Sequence, residues 1–158
     1  PIKDASIPDF LKRFEQFPAV EINWLIYGSG GNKAKSSEPV MKRFRFHSQP
    51  DHYLNRHVKS IVNPRMVYTM IGCHEVARIK GKAADSHGNP ITKNFRQRTP
   101  QQDVIRINHY AVRSLEEFRE KQMRGRASGT QTSVPMEYFN QYDLNDIEEP
   151  APNTEQKQ

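Results

Sequence analysis

Val20-Glu21-Ile22-Asn23-Trp24-Leu25-Ile26-Tyr27, followed at once by Gly28-Ser29-Gly30-Gly31-Asn32, is the stretch on which the fold turns. Val20, Ile22, Trp24 and Ile26 recur at every second position, the period of a strand with a buried face, and Gly28 to Asn32 breaks that strand. Just upstream, Ser6 to Phe17 reads as an amphipathic helix. Ser6 can cap it, Pro8 suits its first turn, and Phe10, Leu11, Phe14 and Phe17 recur on one face before Pro18 stops it. Such a helix needs a surface to cover.

Further along, Ser37 and Pro39 suit the start of one or two helical turns over Glu38 to Phe44, though the segment reads equally as extended. His57 to Val62 is a predicted strand ended by Asn63 and Pro64, and Met66 to Met70 is a second short apolar stretch. Gly81 to Thr99 has turn formers at Gly88, Asn89 and Pro90 and little apolar periodicity, so it reads as an irregular loop with an extended piece near Ile91. Val104 to Ile107 is a predicted strand. The clearest helix opens at Ser114, which forms a capping box with Glu117, places Leu115 and Phe118 on one face and stops at Gly125. Met136, Tyr138, Phe139, Tyr142 and Leu144 read as a small apolar satellite, and from Glu148 onward there is little to bury.

The chain has 158 residues, enough for one ordinary domain, with 35% hydrophobic and 27% charged residues. Its formal charge of +6 is uneven. From Ala127 on there are six acidic residues against the single base Lys157, which leaves about +11 on residues 1–126 by subtraction. A basic body attracts nucleic acid, anionic lipid or a phosphate-bearing ligand, and charge alone does not separate these. One cysteine, Cys73, permits neither an internal disulfide nor a CxxC metal site and fits a reducing, cytoplasmic setting. No apolar run reaches the length of a membrane span.

The six histidines, at 47, 52, 57, 74, 87 and 109, include no HExxH pair. The Gly28–Gly31 run lacks the lysine and helix of a phosphate loop, and there is no GxSxG nucleophile elbow.

Four ordered segments carry a family signal. They are Asn23-Trp24-Leu25-Ile26-Tyr27-Gly28-Ser29-Gly30-Gly31; Arg56-His57-Val58-Lys59-Ser60-Ile61-Val62-Asn63-Pro64; Cys73-His74; and Ile107-Asn108-His109-Tyr110 with Arg113-Ser114-Leu115-Glu116-Glu117-Phe118 and Lys121. In order and spacing they resemble the C-terminal half of glycosyltransferase family 92 and related bacterial family-2-like glycosyltransferases, over about residues 7 to 127. The resemblance implies an α/β fold, a partial GT-A-like mixed sheet with flanking helices. It also implies a nucleotide-sugar donor, a glycan or related acceptor, and a divalent metal, manganese or magnesium, in the complete enzyme. No nucleic-acid partner is expected. The chain starts at Pro1 and holds no acidic DxD pair at a strand end, so the nucleotide-binding half is expected to be absent and the isolated chain inactive. On this reading residues 1–127 are the acceptor-side portion, 128–147 a polar extension with the satellite, and 148–158 a disordered acidic tail.

The resemblance also suggests roles. His109 and His74 are candidate metal ligands, each with the alternative of an imidazole tied to backbone. Lys59, Arg113 and Lys121 are candidates to offset the donor diphosphate, as stabilising a leaving group requires. Trp24, Gly28 and Ser29 are candidate acceptor contacts, with a core tryptophan as the alternative for Trp24. Asp51 is the candidate carboxylate base, with Asp85 and Glu75 as alternatives. The rival reading is a non-enzymatic module for RNA or another polyanion, built on Arg96, Arg98, Arg106, Arg113, Arg119, Arg124 and Arg126; only Phe95 and Tyr110 lie near that run as stacking aromatics.

Overall fold

Ser6 caps the first helix as its sequence demands, accepting from the Asp9 amide, and Pro8 sits in the first turn. The computed structural model describes residues 6–72, 74–125 and 133–150. α1 (Ile7–Leu11) is shorter than its apolar pattern predicts, because the chain tightens into a 3-10 turn at Lys12–Phe14. That tightening sets the Phe10 and Phe14 rings 4.8 Å apart and lets both enter the core.

The fold is mixed α/β with small sheets and few helices. β1 (Ala19–Ile26) is the central strand of a three-stranded sheet, with β3 (Val58–Val62) on one side and β6 (Ile107–His109) on the other. β1 and β3 run antiparallel with Ala19 opposite Val62 and Asn23 opposite Val58. Apart from Glu21, every residue of β1 is buried, on both faces of the strand. Strand β6 begins three residues later than the apolar pattern suggests. Val104 and Ile105 pack on the core, while the preceding segment is tied down by a bond from the Gln101 amide to Asn23 and one from the Gln102 side chain to the Trp24 carbonyl.

The chain folds as two compact units, Pro1–Leu25 with Pro50–Asn108, and Ile26–Gln49 with His109–Gln158. In the first, Phe10, Phe14, Val20, Ile22, Ala84 and Ile105 form the main cluster, each large side chain contributing roughly 1.5–3 kcal/mol by leaving water. Ala19, Val76 and Ala83 form a second cluster beneath a hairpin of β4 (Val67–Ile71) and β5 (Glu75–Arg78). The sequence shows β4 as an apolar stretch but carries no signal for β5, because Glu75, Ala77 and Arg78 dilute its single buried valine.

In the second unit, α2 (Val40–Arg43) makes one helical turn of the segment that the sequence reads equally as helical or extended, and β2 (Phe46–His47) pairs antiparallel with β7 (Ile147–Glu148). α3 (Leu115–Arg124) has the predicted capping box and ends at Gly125, whose φ of 75° is the left-handed geometry glycine tolerates. The apolar satellite is itself a helix, α4 (Met136–Tyr142), which closes a cluster with Ala111, Val112, Phe118 and Val134. Leu144 is not part of that cluster. Glu148 and Glu149, which the sequence reading assigns to the tail, are held: Glu148 pairs with Arg45, and Glu149 accepts from the Tyr27 hydroxyl at 2.5 Å. Residues 151–158 lie outside the described residues, as do Cys73 and Arg126. Among the described residues no helix is long and apolar enough to cross a membrane.

Candidate functional site

Capping sets the geometry of the second unit's most chemically interesting feature. The Ser114 hydroxyl accepts from the Glu117 amide, and the Glu117 carboxylate accepts from the Ser114 amide and, at 2.7 Å, its hydroxyl. The same carboxylate takes a two-pronged hydrogen bond from Arg43, 2.8 Å at its shorter arm, with only 4% and 10% of the two side chains exposed. Burial alone would raise the Glu117 pKa, but the Arg43 and Ser114 bonds outweigh it and hold the carboxyl below its ordinary range.

The first-turn amides of α3 are also taken. Leu115 donates to the Asn32 carbonyl and Glu116 to the Lys33 carbonyl. The helix N-terminus therefore does not offer free amides to a phosphate. An anion beside it depends on side chains.

Such side chains are present. A cavity of about 320 Å³ is lined by Lys35, Tyr110, Arg113, Glu120, Lys121 and Arg124, together with Ala111, Val112 and Glu117. Four cations face it against two carboxylates. Lys35 forms a salt bridge with Glu120 at 2.8 Å, and Glu117 is engaged by Arg43. Lys121 donates to the Ala111 carbonyl at 2.8 Å, its ammonium 5.0 Å from the Tyr138 ring centroid. Arg113 has φ of 59°, the one described residue other than glycine with a left-handed backbone, half exposed and 3.8 Å from Glu117. That conformation costs about 1–2 kcal/mol in a residue with a Cβ, and such strain concentrates at functional sites.

Two of the three candidate diphosphate residues, Arg113 and Lys121, thus share one cavity with Arg124, which the sequence reading names only for the rival polyanion module, and with Lys35, which it does not single out. Lys35 carries no signal in sequence because it lies 85 residues from its partner Glu120. Lys59 lies in the first unit, its ammonium 5.6 Å from the Trp24 ring. His109 ends β6 directly before Tyr110, and its carbonyl accepts from the Tyr27 and Ala111 amides.

The first unit uses its histidines differently. Trp24, His57, His74 and Phe95 form a ring cluster with centroids 5.0 to 5.5 Å apart. His57 Nδ1 is 2.9 Å from the Leu54 carbonyl and His74 Nδ1 is 2.8 Å from that of Val58. Burial first, and then His74, Arg96 and Lys59, push the His57 pKa down despite its backbone bond. His74 thus has the backbone-tied geometry that is its alternative, and Trp24 is a buried core residue at 6% exposure.

Gly28 and Ser29 present no open face. A Cβ on Gly28 would collide with the Leu144 carbonyl and the Asn145 carboxamide. The Ser29 amide donates to Asp143 at 2.5 Å and the Gly30 amide to Asn145 at 2.7 Å. The glycine-rich run therefore seats the Asp143-Leu144-Asn145 turn of this same chain, a pairing across more than a hundred residues that sequence spacing does not reveal. Asp51 is exposed at the turn leading into the 3-10 helix Tyr53–Arg56. Of its alternatives, Asp85 accepts from the His87 and Asn89 amides and from the Asn89 and Gln101 side chains, and Glu75 accepts from Asn94.

A hard divalent cation needs gathered oxygen ligands. Among the described residues no group of three or more His, Cys, Asp or Glu side chains is placed to hold a metal, so these residues do not by themselves fit the ion the resemblance implies. Within the arginine run, Arg98 is bound to Glu21 and Arg106 to Asn108, and Phe95 is buried rather than offered for stacking. The chain matches no protein-family model, no curated protein and no solved structure.

Proposed function

We propose that this chain supplies the diphosphate-facing cavity of a GT-A-type glycosyltransferase that moves a sugar from a nucleotide donor to a glycan or related acceptor. The observation that carries the reading is the cavity beside α3, where Lys35, Arg113, Lys121 and Arg124 surround a space large enough for a diphosphate. In such a reaction the sugar–phosphate bond breaks and negative charge grows on the departing diphosphate. Cations fixed beforehand around it lower the barrier, because they need no rearrangement as the charge develops. The bond from Lys121 to the Ala111 carbonyl fixes that ammonium, and the left-handed backbone of Arg113 sets the direction in which its side chain leaves the main chain. Tyr110, whose ring packs 4.8 Å from Tyr27, gives the cavity an aromatic wall.

Titration of the protein with UDP, GDP and UMP, followed by amide NMR, tests the reading. UDP and GDP should bind weakly but several-fold more tightly than UMP, with shifts centred on residues 110–124, and Lys121→Met with Arg124→Ala should abolish that preference. Equal affinity for UMP and UDP, or shifts centred elsewhere, would remove the diphosphate from the account. Preferential binding of single-stranded RNA over UDP would favour the polyanion module.

A further inference from the structure

The β4–β5 hairpin of the first unit carries several exposed apolar side chains. Tyr68 is 76% exposed, Met70 47%, Ile71 58%, and Ile79, just beyond β5, 48%. Single exposed apolar residues are ordinary, but here four lie on one hairpin, with Met70 opposite Val76 and Ile71 opposite Glu75, so both faces of the hairpin carry exposed apolar side chains. Val76 is buried in the cluster beneath the hairpin and Val67 packs against it, so the exposed residues are not needed to close that core. The same segment carries Arg65, Arg78, Lys80 and Lys82, all exposed. The one acid from Arg65 to Lys82 is Glu75, which accepts from Asn94 at 2.9 Å.

We propose that the β4–β5 hairpin docks the protein on an anionic lipid surface, with Tyr68, Met70, Ile71 and Ile79 entering the headgroup boundary and Arg65, Arg78, Lys80 and Lys82 against the lipid phosphates. Charge complementarity selects this occupant. A cytoplasmic leaflet is negative, and each base held near it favours binding roughly fivefold. Aliphatic side chains gain by entering the interface. Single-stranded RNA needs aromatic platforms on which bases stack, and the hairpin offers only Tyr68. A second copy paired along the β4 edge would bring two sets of four cations together, the arrangement by which natural edge strands avoid one another.

Co-sedimentation with vesicles tests the inference, using phosphatidylcholine alone and phosphatidylcholine with about one-third phosphatidylserine. The wild-type protein should bind the anionic vesicles at least ~10-fold better, and lose that preference at about 0.5 M salt. Tyr68→Ser with Ile71→Ser, and separately Arg78→Gln with Lys80→Gln, should each lower binding ~5-fold or more. Met123→Ser, at a site on α3 that is 82% exposed, is the matched control and should change nothing. All these positions are exposed, and a thermal melt of each variant checks that the fold survives. No preference for anionic vesicles, equal loss in the Met123 control, or unaltered binding by the hairpin variants would overturn the proposal. So would capture of a uridine oligomer through the hairpin in place of vesicles, or a dimer that the Tyr68 variant dissolves. UDP titration of the same variants separates this outcome from the transferase reading, since the hairpin lines no part of the α3 cavity.

Discussion

The two units of the chain put their polar side chains to opposite uses. In the first, Asn23 is buried within β1 and donates to the Asn55 and Arg56 carbonyls while accepting from the Gln101 amide. Asp85 gathers the loop from His87 to Asn89 and the Gln101 side chain. These contacts stand in for the regular hydrogen bonding that residues 81–103, with little strand or helix, do not make for themselves. In the second unit one buried pair, Arg43 with Glu117, joins α2 to α3, and the cations beyond it line a cavity. The lesson is that a titratable side chain's neighbours decide whether it is structural: His74 is a candidate ligand in sequence, yet its ring packs on His57 and the Nδ1 atoms of both face backbone carbonyls.

The largest expected effect is in the second unit. Arg43→Ala leaves Glu117 buried without its main partner and should cost about 3–5 kcal/mol by denaturant unfolding, whereas Arg43→Met with Glu117→Leu should recover most of that loss. A cost below about 1 kcal/mol would show the pair to be a surface contact. In the first unit, Asn23→Ala should cost about 1–3 kcal/mol, the range for unsatisfied backbone groups, with hydrogen exchange rising first at Asn55 to His57 and Gln101. Exchange rising across 110–124 instead would blur the contrast between the units.

Acid separates them further. The Glu117 pKa is depressed, so its contribution is present above the ordinary value of 4.5 and is lost as pH falls through its folded value. The Glu21 pKa is raised, first by burial, which outweighs the attraction of Arg98. Its contribution therefore runs the other way, present below 4.5 and lost as pH rises through the folded value. Glu117→Gln should flatten the acid limb of the stability curve, and Glu21→Gln should raise stability at neutral pH relative to acid. The smallest effect is at His87, whose pKa is raised by Asp103 on an open surface. Its contribution is present below the ordinary 6.5 and fades as pH rises through the folded value, so His87→Ala should cost under about 1 kcal/mol, and only on the acid side.

What can be read beforehand follows the range of the interactions. The Ser114–Glu117 capping box, the Gly125 stop, the Ser6 cap and the core strand 20–26 depend on residues within a few positions of one another, and sequence shows them. α4 is legible as an apolar group but not as a helix, because a helix of seven residues is fixed by packing on Phe118 rather than by propensity. The seat of Asp143 and Asn145 on the glycine-rich run, the Arg43–Glu117 pair and the entry of Lys35 into the cavity all join residues 74 to 115 apart. No local pattern encodes them. Arg113 and Lys121 can be picked out together because one directly precedes the α3 cap and the other lies within that helix, whereas Lys59, chosen with them, belongs to the other unit.

The central claim is that the α3 cavity is held ready for an anion at some cost to the fold, and Arg113→Gly tests it most directly. Glycine adopts the left-handed backbone without strain, so stability should rise by about 1 kcal/mol, while the preference for UDP over UMP should fall several-fold because a cation facing the diphosphate has gone. Stability and binding moving in these opposite directions, measured on the same sample by denaturant unfolding and UDP titration, is the predicted result. Unchanged UDP preference in the stabilised variant would contradict the account and leave the Arg113 backbone as a feature of the turn alone.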